Sequence, residues 1–202
     1  MPITAAAIKE LRDKTGAGMM DCRAALTEAD GDVVKAESIL ARRGAATAEK
    51  KSGRETSQGL VEAYIHPGGK YGSLIEVNCE TDFVARTDAF KELVRDIAIH
   101  VTGASPTPSF VDQDSIPSDV LEAKRTQLRL EAEEEGGNKP QNVIDRMIDG
   151  RMKKYVEEAC LLDQPWVRDP EKTIRQLIQQ AVQVTNENIK VRRFARFQLG
   201  GE

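Results

Sequence analysis

The chain has 202 residues, of which 29 are lysine or arginine and 33 are aspartate or glutamate, so its formal net charge is -4. This length is sufficient for one ordinary domain and a small second one. The acidic balance disfavours a general nucleic-acid-binding protein, because such proteins rely on excess positive charge. Only 4% of the residues are aromatic while 31% are charged, which is typical of a helix-rich protein with exposed polar faces.

The sequence also argues against several cellular locations. It contains no run of about 18 apolar residues, so we expect no membrane span. The first residues, 1 to 4, lack the basic and apolar regions of a secretory signal. The three cysteines are an odd number without CxxC spacing, which argues against a disulfide framework or a zinc cluster. These features predict a reduced, cytoplasmic protein.

The first 53 residues predict a module of three short helices. Thr4 is a good N-cap for the first helix, which Gly16 should end in a tight loop. A second helix is expected from about Met19 to Ala29. Asp32 should cap a third helix, with Gly44 as its C-terminal stop. The charged residues that follow then predict a linker.

The remaining residues, 54 to 202, predict a core domain. Apolar runs predict strands within about 59–78 and 188–199, and the first two strands should form a hairpin around Pro67-Gly68-Gly69. A helix from about Thr87 to Thr102 should pack on one face of the resulting three-stranded antiparallel sheet. The fold class is therefore α+β.

Two further helical regions are predicted within the core. Between residues 118 and 160, two helices of about 18 residues each should form an antiparallel helical hairpin. Their turn is expected at Gly136-Gly137-Asn138-Lys139-Pro140, and the acidic run before it reads as a solvated helix end rather than a metal site. Lys172 to Ala181 predicts another helix.

One junction in the core has the character of a binding site. Residues 76 to 86 lie where a predicted strand ends and a helix is about to begin. They place the carboxylate of Asp82 beside the aromatic ring of Phe83, on a connection of the kind that tends to present binding residues. A structural interpretation competes, in which Asp82 caps a helical turn and Phe83 is buried in the core.

The sequence gives no indication of catalysis. His66 and His100 have no paired carboxylate or serine motif. Cys79 precedes Glu80, whose charge should raise the pKa of the thiol. No GxxxxGK[ST] loop is present, so the protein itself should not bind GTP. Because His66, Cys79 and His100 fit no standard metal-site spacing, we expect neither an enzyme nor a bound cofactor or metal.

The chain carries two long motifs in a fixed order, Leu11-Arg12-Asp13-Lys14-Thr15-Gly16-Ala17-Gly18-Met19-Met20-Asp21-Cys22 and Glu76-Val77-Asn78-Cys79-Glu80-Thr81-Asp82-Phe83-Val84. Both resemble signatures of the elongation factor Ts family, the guanine-nucleotide exchange factors for the GTPase elongation factor Tu (EF-Tu). The resemblance extends to the helical hairpin, as the arm of that family, and to Leu161-Leu162-Asp163-Gln164-Pro165-Trp166-Val167 after it. It therefore covers essentially the whole chain.

The resemblance implies roles for particular residues. The module of residues 1–53 would resemble a ubiquitin-associated fold and dock on EF-Tu through Arg12, Met19 and Met20, although one of the two methionines is expected to fill the core of the module. The residues implied to dislocate Mg²⁺ from EF-Tu are Thr81, Asp82, Phe83 and Val84. Thr185 and Asn186 are weaker candidates for a contact with EF-Tu, because many relatives carry Ile-Gly there.

Longer members of that family carry two related sheet subdomains, whereas this sequence predicts one. A homodimer would supply the second copy, and we therefore expect dimerisation; Cys160 could cross-link the dimer, although a buried thiol is the simpler expectation.

Two other functions stay open. One is an RNA-binding accessory protein of translation that uses Arg192, Arg193, Phe194, Arg196 and Phe197. The other is a chaperone that binds EF-Tu without exchanging its nucleotide.

Overall fold

The fold of the protein was analysed in a computed structural model, which describes residues 3–137 and 140–201. These residues form eight α-helices and five β-strands, so the predicted α+β class is confirmed. They divide into two compact units, one of residues up to 102 and from 175 onward and the other of residues 103–174. The predicted domain boundary at residue 53 remains a prediction.

The first unit begins with three helices, α1 (Ala5–Thr15), α2 (Met19–Glu28) and α3 (Val33–Lys51). Thr4 caps α1, since its Oγ1 accepts from the backbone N–H of Ala7 at 3.2 Å. Gly16 ends α1 in the left-handed conformation, with φ of 69°. The buried faces of the three helices share one apolar cluster, which contains Leu11, Ala17, Cys22, Ala25, Leu26, Ala29, Ala36, Ile39 and Leu40. The predicted helices are confirmed, whereas the likeness to a ubiquitin-associated fold stays a prediction.

The prediction that Gly44 stops the third helix was wrong. Helix α3 continues through Gly44 to Lys51, so the predicted linker begins only after a last helical turn. Gly44 instead lies where helix α8 (Ile174–Thr185) passes close by, because a Cβ at this position would be 3.0 Å from Oε1 of Gln183. The glycine therefore permits close packing of two helices.

The sheet of the first unit has the predicted three antiparallel strands. Strands β1 (Gln58–Ile65), β2 (Tyr71–Cys79) and β5 (Lys190–Gln198) pair in the order β1-β2-β5. Helix α5 (Asp88–Gly103) covers one face, where Oγ of Ser73 donates to the carbonyl of Ala98 at 2.8 Å. On the other face the strand register aligns exposed apolar residues, namely Val61, Ile65, Leu74 and Phe197.

The second unit contains the predicted helical hairpin, formed by α6 (Ser118–Gly136) and α7 (Gln141–Ala159). Leu128, Ala132, Ile144 and Ile148 are buried between the two helices. Ion pairs cross the hairpin outside this contact, including Arg125 to Asp149 at 2.6 Å. Arg151 pairs with Glu131 and Glu135 of the acidic run. Asn138 and Lys139 of the predicted turn lie outside the described residues.

A short strand pair follows the hairpin and corrects the helix predicted from Lys172. Strands β3 (Pro165–Trp166) and β4 (Asp169–Thr173) are antiparallel, and α8 begins only at Ile174. The physical reason is the pairing of the two strands, in which Thr173 faces Pro165 and the backbone N–H of Ile174 donates to the carbonyl of Gln164 at 3.1 Å. This pairing keeps the residues up to Thr173 extended.

Candidate protein-binding site

The loop at the junction of β2 and α5 presents a large aromatic residue to solvent. Residues Asp82–Ala85 form a single helical turn, α4, whose N-cap is Thr81. Oγ1 of Thr81 accepts from the backbone N–H of Val84 at 3.3 Å. The Phe83 side chain is 77% exposed, whereas Val84 is only 5% exposed. The competing structural interpretation is therefore wrong, because Thr81 is the cap and Phe83 is not a core residue.

The Asp82 carboxylate is paired with a neighbour on the same loop. Its Oδ2 lies 2.8 Å from a guanidinium nitrogen of Arg86, and both side chains are mostly exposed. Exposed ion pairs of this kind contribute little to stability, about 0–1 kcal/mol. Breaking the pair to free the carboxylate for another contact would therefore cost little.

Two glutamates anchor the loop to a distant segment, a role that the sequence predicted for neither of them. The Glu187 carboxylate accepts from the backbone N–H groups of Glu80 at 3.1 Å and Thr81 at 3.0 Å, and from Oγ1 of Thr81 at 2.6 Å. In return, the Glu80 carboxylate accepts from the backbone N–H of Asn188 at 2.6 Å. Glu187 and Thr81 are 106 residues apart, so no local pattern indicates this contact.

The same segment is held to the end of α3. The Asn188 side chain is 3% exposed and donates to the carbonyls of Ser52 at 3.2 Å and Arg54 at 2.8 Å. Nζ of Lys51 donates to the carbonyl of Asn186 at 2.8 Å. Asn186 has a φ of 57°, which an asparagine tolerates better than most residues. Thr185 and Asn186 thus lie directly beside the anchor of the Phe83 loop.

Cys79 is a buried thiol beneath the loop. Its Sγ donates to the carbonyl of Thr81 at 3.2 Å. Burial, followed by the negative charge of Glu187, raises the pKa of Cys79 to about 11. The predicted direction is confirmed, but the predicted cause is corrected, since Glu80 contributes less than either. The thiol is therefore protonated at neutral pH and is a poor nucleophile.

The predicted docking residues of the N-terminal module are all exposed. Met19 is 45% exposed and Met20 is 73% exposed, and the Arg12 side chain is also exposed. The expectation that one methionine fills the core was wrong, because Leu11, Cys22 and Leu26 already fill it. Gly18 precedes these methionines and makes no side-chain cap for α2. Two flexible apolar side chains therefore stand at the start of a helix, available to a partner.

Two of the arginines of β5 make contacts within the protein. Arg193 pairs with Glu76 at 2.7 Å across the sheet. Arg196 donates to the carbonyl of Thr102 at 3.2 Å, and its guanidinium lies 5.4 Å from the ring centroid of Tyr71. These contacts reduce the positive charge that the strand offers to RNA.

Residues 3–137 and 140–201 lack two features that mark other classes of protein. No helix in these ranges is long and apolar enough to cross a bilayer. The same ranges contain no group of three or more histidine, cysteine, aspartate or glutamate side chains arranged to hold a metal ion.

Comparison with known proteins places the chain in a family. A family model described as "Elongation factor TS" matches residues 20–201. A protein of Caldanaerobacter subterraneus named elongation factor Ts is 51% identical over 198 residues, which cover 98% of this chain and 97% of the relative. Proteins of the same name from Carboxydothermus hydrogenoformans and Geobacter sulfurreducens are 50% and 48% identical to this chain. The two matches cover 98% and 99% of this chain, and 89% and 91% of the relatives' own lengths. The chain therefore belongs to the elongation factor Ts family.

Proposed function

We propose that this protein is a guanine-nucleotide exchange factor for EF-Tu in translation elongation, acting in the cytoplasm by protein binding rather than by catalysis. The observation that carries the proposal is Phe83, a large apolar side chain that is 77% exposed on a loop whose first residues are anchored by hydrogen bonds to Glu187 and Asn188. An exposed aromatic residue held in one place is typical of the residues that dominate binding energy at protein interfaces.

The proposed mechanism is displacement of the Mg²⁺ and phosphate site of EF-Tu. A GTPase holds GDP through backbone N–H groups of its phosphate loop and through Mg²⁺. Mg²⁺ requires near-ideal octahedral geometry, so small movements of its ligands weaken its binding steeply. Phe83 would insert between elements of the nucleotide domain, and Asp82 would add negative potential near the disturbed site. Thr81 and Val84 would shape the loop, one as the cap and the other as its buried support.

The N-terminal module would hold the partner in register. Arg12, Met19 and Met20 offer one charged and two apolar side chains at its surface. Thr185 and Asn186 would add contacts beside the loop.

Binding of this protein and of GDP to EF-Tu must oppose each other by the same factor, because the coupling free energy is reciprocal. A thousandfold faster release would require about 4 kcal/mol of differential binding at the barrier.

The test is release of a fluorescent GDP analogue from EF-Tu under excess unlabelled GDP, with free Mg²⁺ held constant. We expect this protein to accelerate release by about a thousandfold at saturation. Tight binding with an unchanged release rate would instead support the chaperone alternative. Strong, salt-dependent RNA affinity would support the RNA-binding alternative.

We further propose that the protein forms a homodimer through the open face of its sheet. Four apolar residues on that face are substantially exposed, namely Val61, Ile65, Leu74 and Phe197. A second copy would cover them with an identical face and would provide the second sheet that longer members of the family carry within one chain. Exposed apolar patches on soluble proteins commonly mark such interfaces. The Cys160 side chain is fully buried, so its thiol is not placed to cross-link two copies.

Light scattering after size-exclusion chromatography tests the dimer. At micromolar concentration we expect a mass close to twice the 22.3 kDa of one chain. Leu74→Glu places a charge in the centre of the open face and should shift the mass to that of a monomer. A wild-type protein that elutes as a monomer would contradict the proposal.

A further inference from the structure

We infer that Glu187 is a positioning residue for the loop that carries Phe83, and that Glu187 and Glu80 together form a crossed pair of carboxylate anchors. The inference rests on the proposed function of that loop. Glu187 lies between α8 and β5, outside both motifs that identify the family. Its side chain is half-buried and is directed at the loop through three hydrogen bonds.

The first half of the pair is the Glu187 carboxylate. One oxygen accepts from two consecutive backbone N–H groups, those of Glu80 and Thr81, and the other accepts from the Thr81 hydroxyl. Hydrogen bonds to an ionised acceptor are about twice as strong as bonds between neutral groups. The carboxylate therefore fixes the residue that caps α4, immediately before Asp82 and Phe83.

The second half of the pair is the Glu80 carboxylate, which lies on the loop and accepts from the segment that carries Glu187. The Glu80 carboxylate accepts from the backbone N–H of Asn188 and lies 3.4 Å from the Arg54 guanidinium. The Asn188 side chain donates in turn to the carbonyls of Ser52 and Arg54, just beyond the end of α3. Three segments of the chain thus meet in one polar cluster. Because α3 belongs to the predicted docking module, the cluster sets the position of the loop relative to that module.

The loop needs this support because α4 has only four residues. A single helical turn is unstable by itself, since nucleation of a helix is unfavourable. Without the anchors Phe83 would still be exposed, but it would occupy many positions. Fewer encounters with EF-Tu would then place the ring correctly, while docking through Arg12, Met19 and Met20 would continue. Loss of the anchors should therefore lower the maximal release rate more than the affinity.

The experiment compares Glu187→Ala with Glu187→Gln. Alanine removes all three bonds. Glutamine removes the charge and reverses the bond to the Thr81 hydroxyl, but it can keep all three contacts. Its carbonyl oxygen can accept from both N–H groups, and its amide nitrogen can donate to the hydroxyl oxygen. Glu92→Ala, at an exposed position on α5, is the matched control for loss of a glutamate. Glu187→Asp, whose shorter side chain reaches fewer of the donors, replaces the alanine variant if that variant does not fold.

The first readout needs no EF-Tu. In the free protein, amide hydrogen exchange at Glu80 and Thr81, followed by NMR, should accelerate by about tenfold or more in Glu187→Ala and change little in Glu187→Gln and Glu92→Ala. Unchanged exchange in Glu187→Ala would overturn the inference.

The second readout is release of the GDP analogue from EF-Tu across a titration of each variant. Glu187→Ala should lower the maximal rate by about tenfold, with a half-saturating concentration within about threefold of wild type. Glutamine should restore most of the rate, because it can keep the contacts but not the charge that strengthens them. Equal losses in the alanine and glutamine variants would overturn the inference, because they would show that restoring the contacts does not restore the position of the loop. If Phe83→Ala leaves release unchanged, the proposed function of the loop fails, and amide exchange alone then decides whether Glu187 holds it.

Discussion

Two exposed apolar surfaces of this protein are built in opposite ways. Phe83 stands on a loop that is capped by Thr81 and anchored by charge-assisted hydrogen bonds from a segment more than a hundred residues away. Met19 and Met20 stand at the start of α2, where Gly18 supplies no side-chain cap. An aromatic residue on an anchored loop suits displacement of a partner's atoms, whereas flexible thioethers suit contact with an irregular surface. The difference suggests that Phe83 governs the rate of GDP release and the methionines govern affinity.

Phe83→Ala should give the largest effect. We expect the maximal rate of GDP release to fall by about a hundredfold, as removal of a central interface aromatic can cost about 3 kcal/mol. The half-saturating concentration should change much less. Titration of the variant against EF-Tu carrying the fluorescent analogue measures both. An equal loss in rate and affinity would erase the proposed distinction between the two surfaces.

Met19→Ala combined with Met20→Ala should give the reverse pattern at smaller size. We expect the half-saturating concentration to rise by about tenfold, which corresponds to about 1.4 kcal/mol of lost contact. The maximal rate should be retained, because the Phe83 loop is untouched. Val34→Ala, at a residue that is 70% exposed on α3, is a matched control within the same module. A fall in maximal rate would assign the methionines to exchange itself.

Substitutions at Gly44 test the close packing of α3, in the module that carries the methionines, against α8, which precedes the segment that anchors the Phe83 loop. Gly44→Ala should raise the free energy of unfolding by up to about 1 kcal/mol, because alanine favours the helix interior and only the flexible end of Gln183 must move. Gly44→Leu should instead destabilise the protein by about 1–3 kcal/mol through overpacking against α8. Chemical denaturation of both variants measures the difference. A stable leucine variant would show that α3 and α8 are not closely packed.

The smallest expected effect concerns Cys79, beneath the anchored loop. The pKa of this thiol is about 11 in the folded protein, whereas the unfolded chain loses the proton near its ordinary value of 9.0. The unfolded state therefore binds fewer protons above that ordinary value, and stability should fall as the pH rises toward 11. Urea denaturation at about pH 8 and about pH 9.5 should show a smaller loss in Cys79→Ala than in wild type. Equal losses would contradict the burial of this thiol.

Local chemistry predicted much of this structure. Thr4, Gly16 and Asp32 act where capping rules place them, and apolar runs identified all three strands of the main sheet. Gly44 misled the prediction because a glycine can permit close packing as well as end a helix, and only the position of α8 distinguishes the two uses.

The candidate site could be predicted only in part from the sequence. Resemblance to a family pointed to Phe83, and its exposure could not be derived from a rule that buries most phenylalanines. The role of Glu187 could not be predicted, because its contacts with Glu80 and Thr81 exist only after the fold brings two distant segments together. No pattern in the sequence reports a hydrogen bond across 106 residues.

The most direct test of the central claim is the dependence of exchange on Mg²⁺. GDP release from EF-Tu is measured with and without saturating wild-type protein, first at constant free Mg²⁺ and then after chelation. If the Phe83 loop acts by dislocating the ion, chelation alone should speed release, and the additional acceleration by this protein should become several-fold smaller. An acceleration that is undiminished without Mg²⁺ would contradict the account.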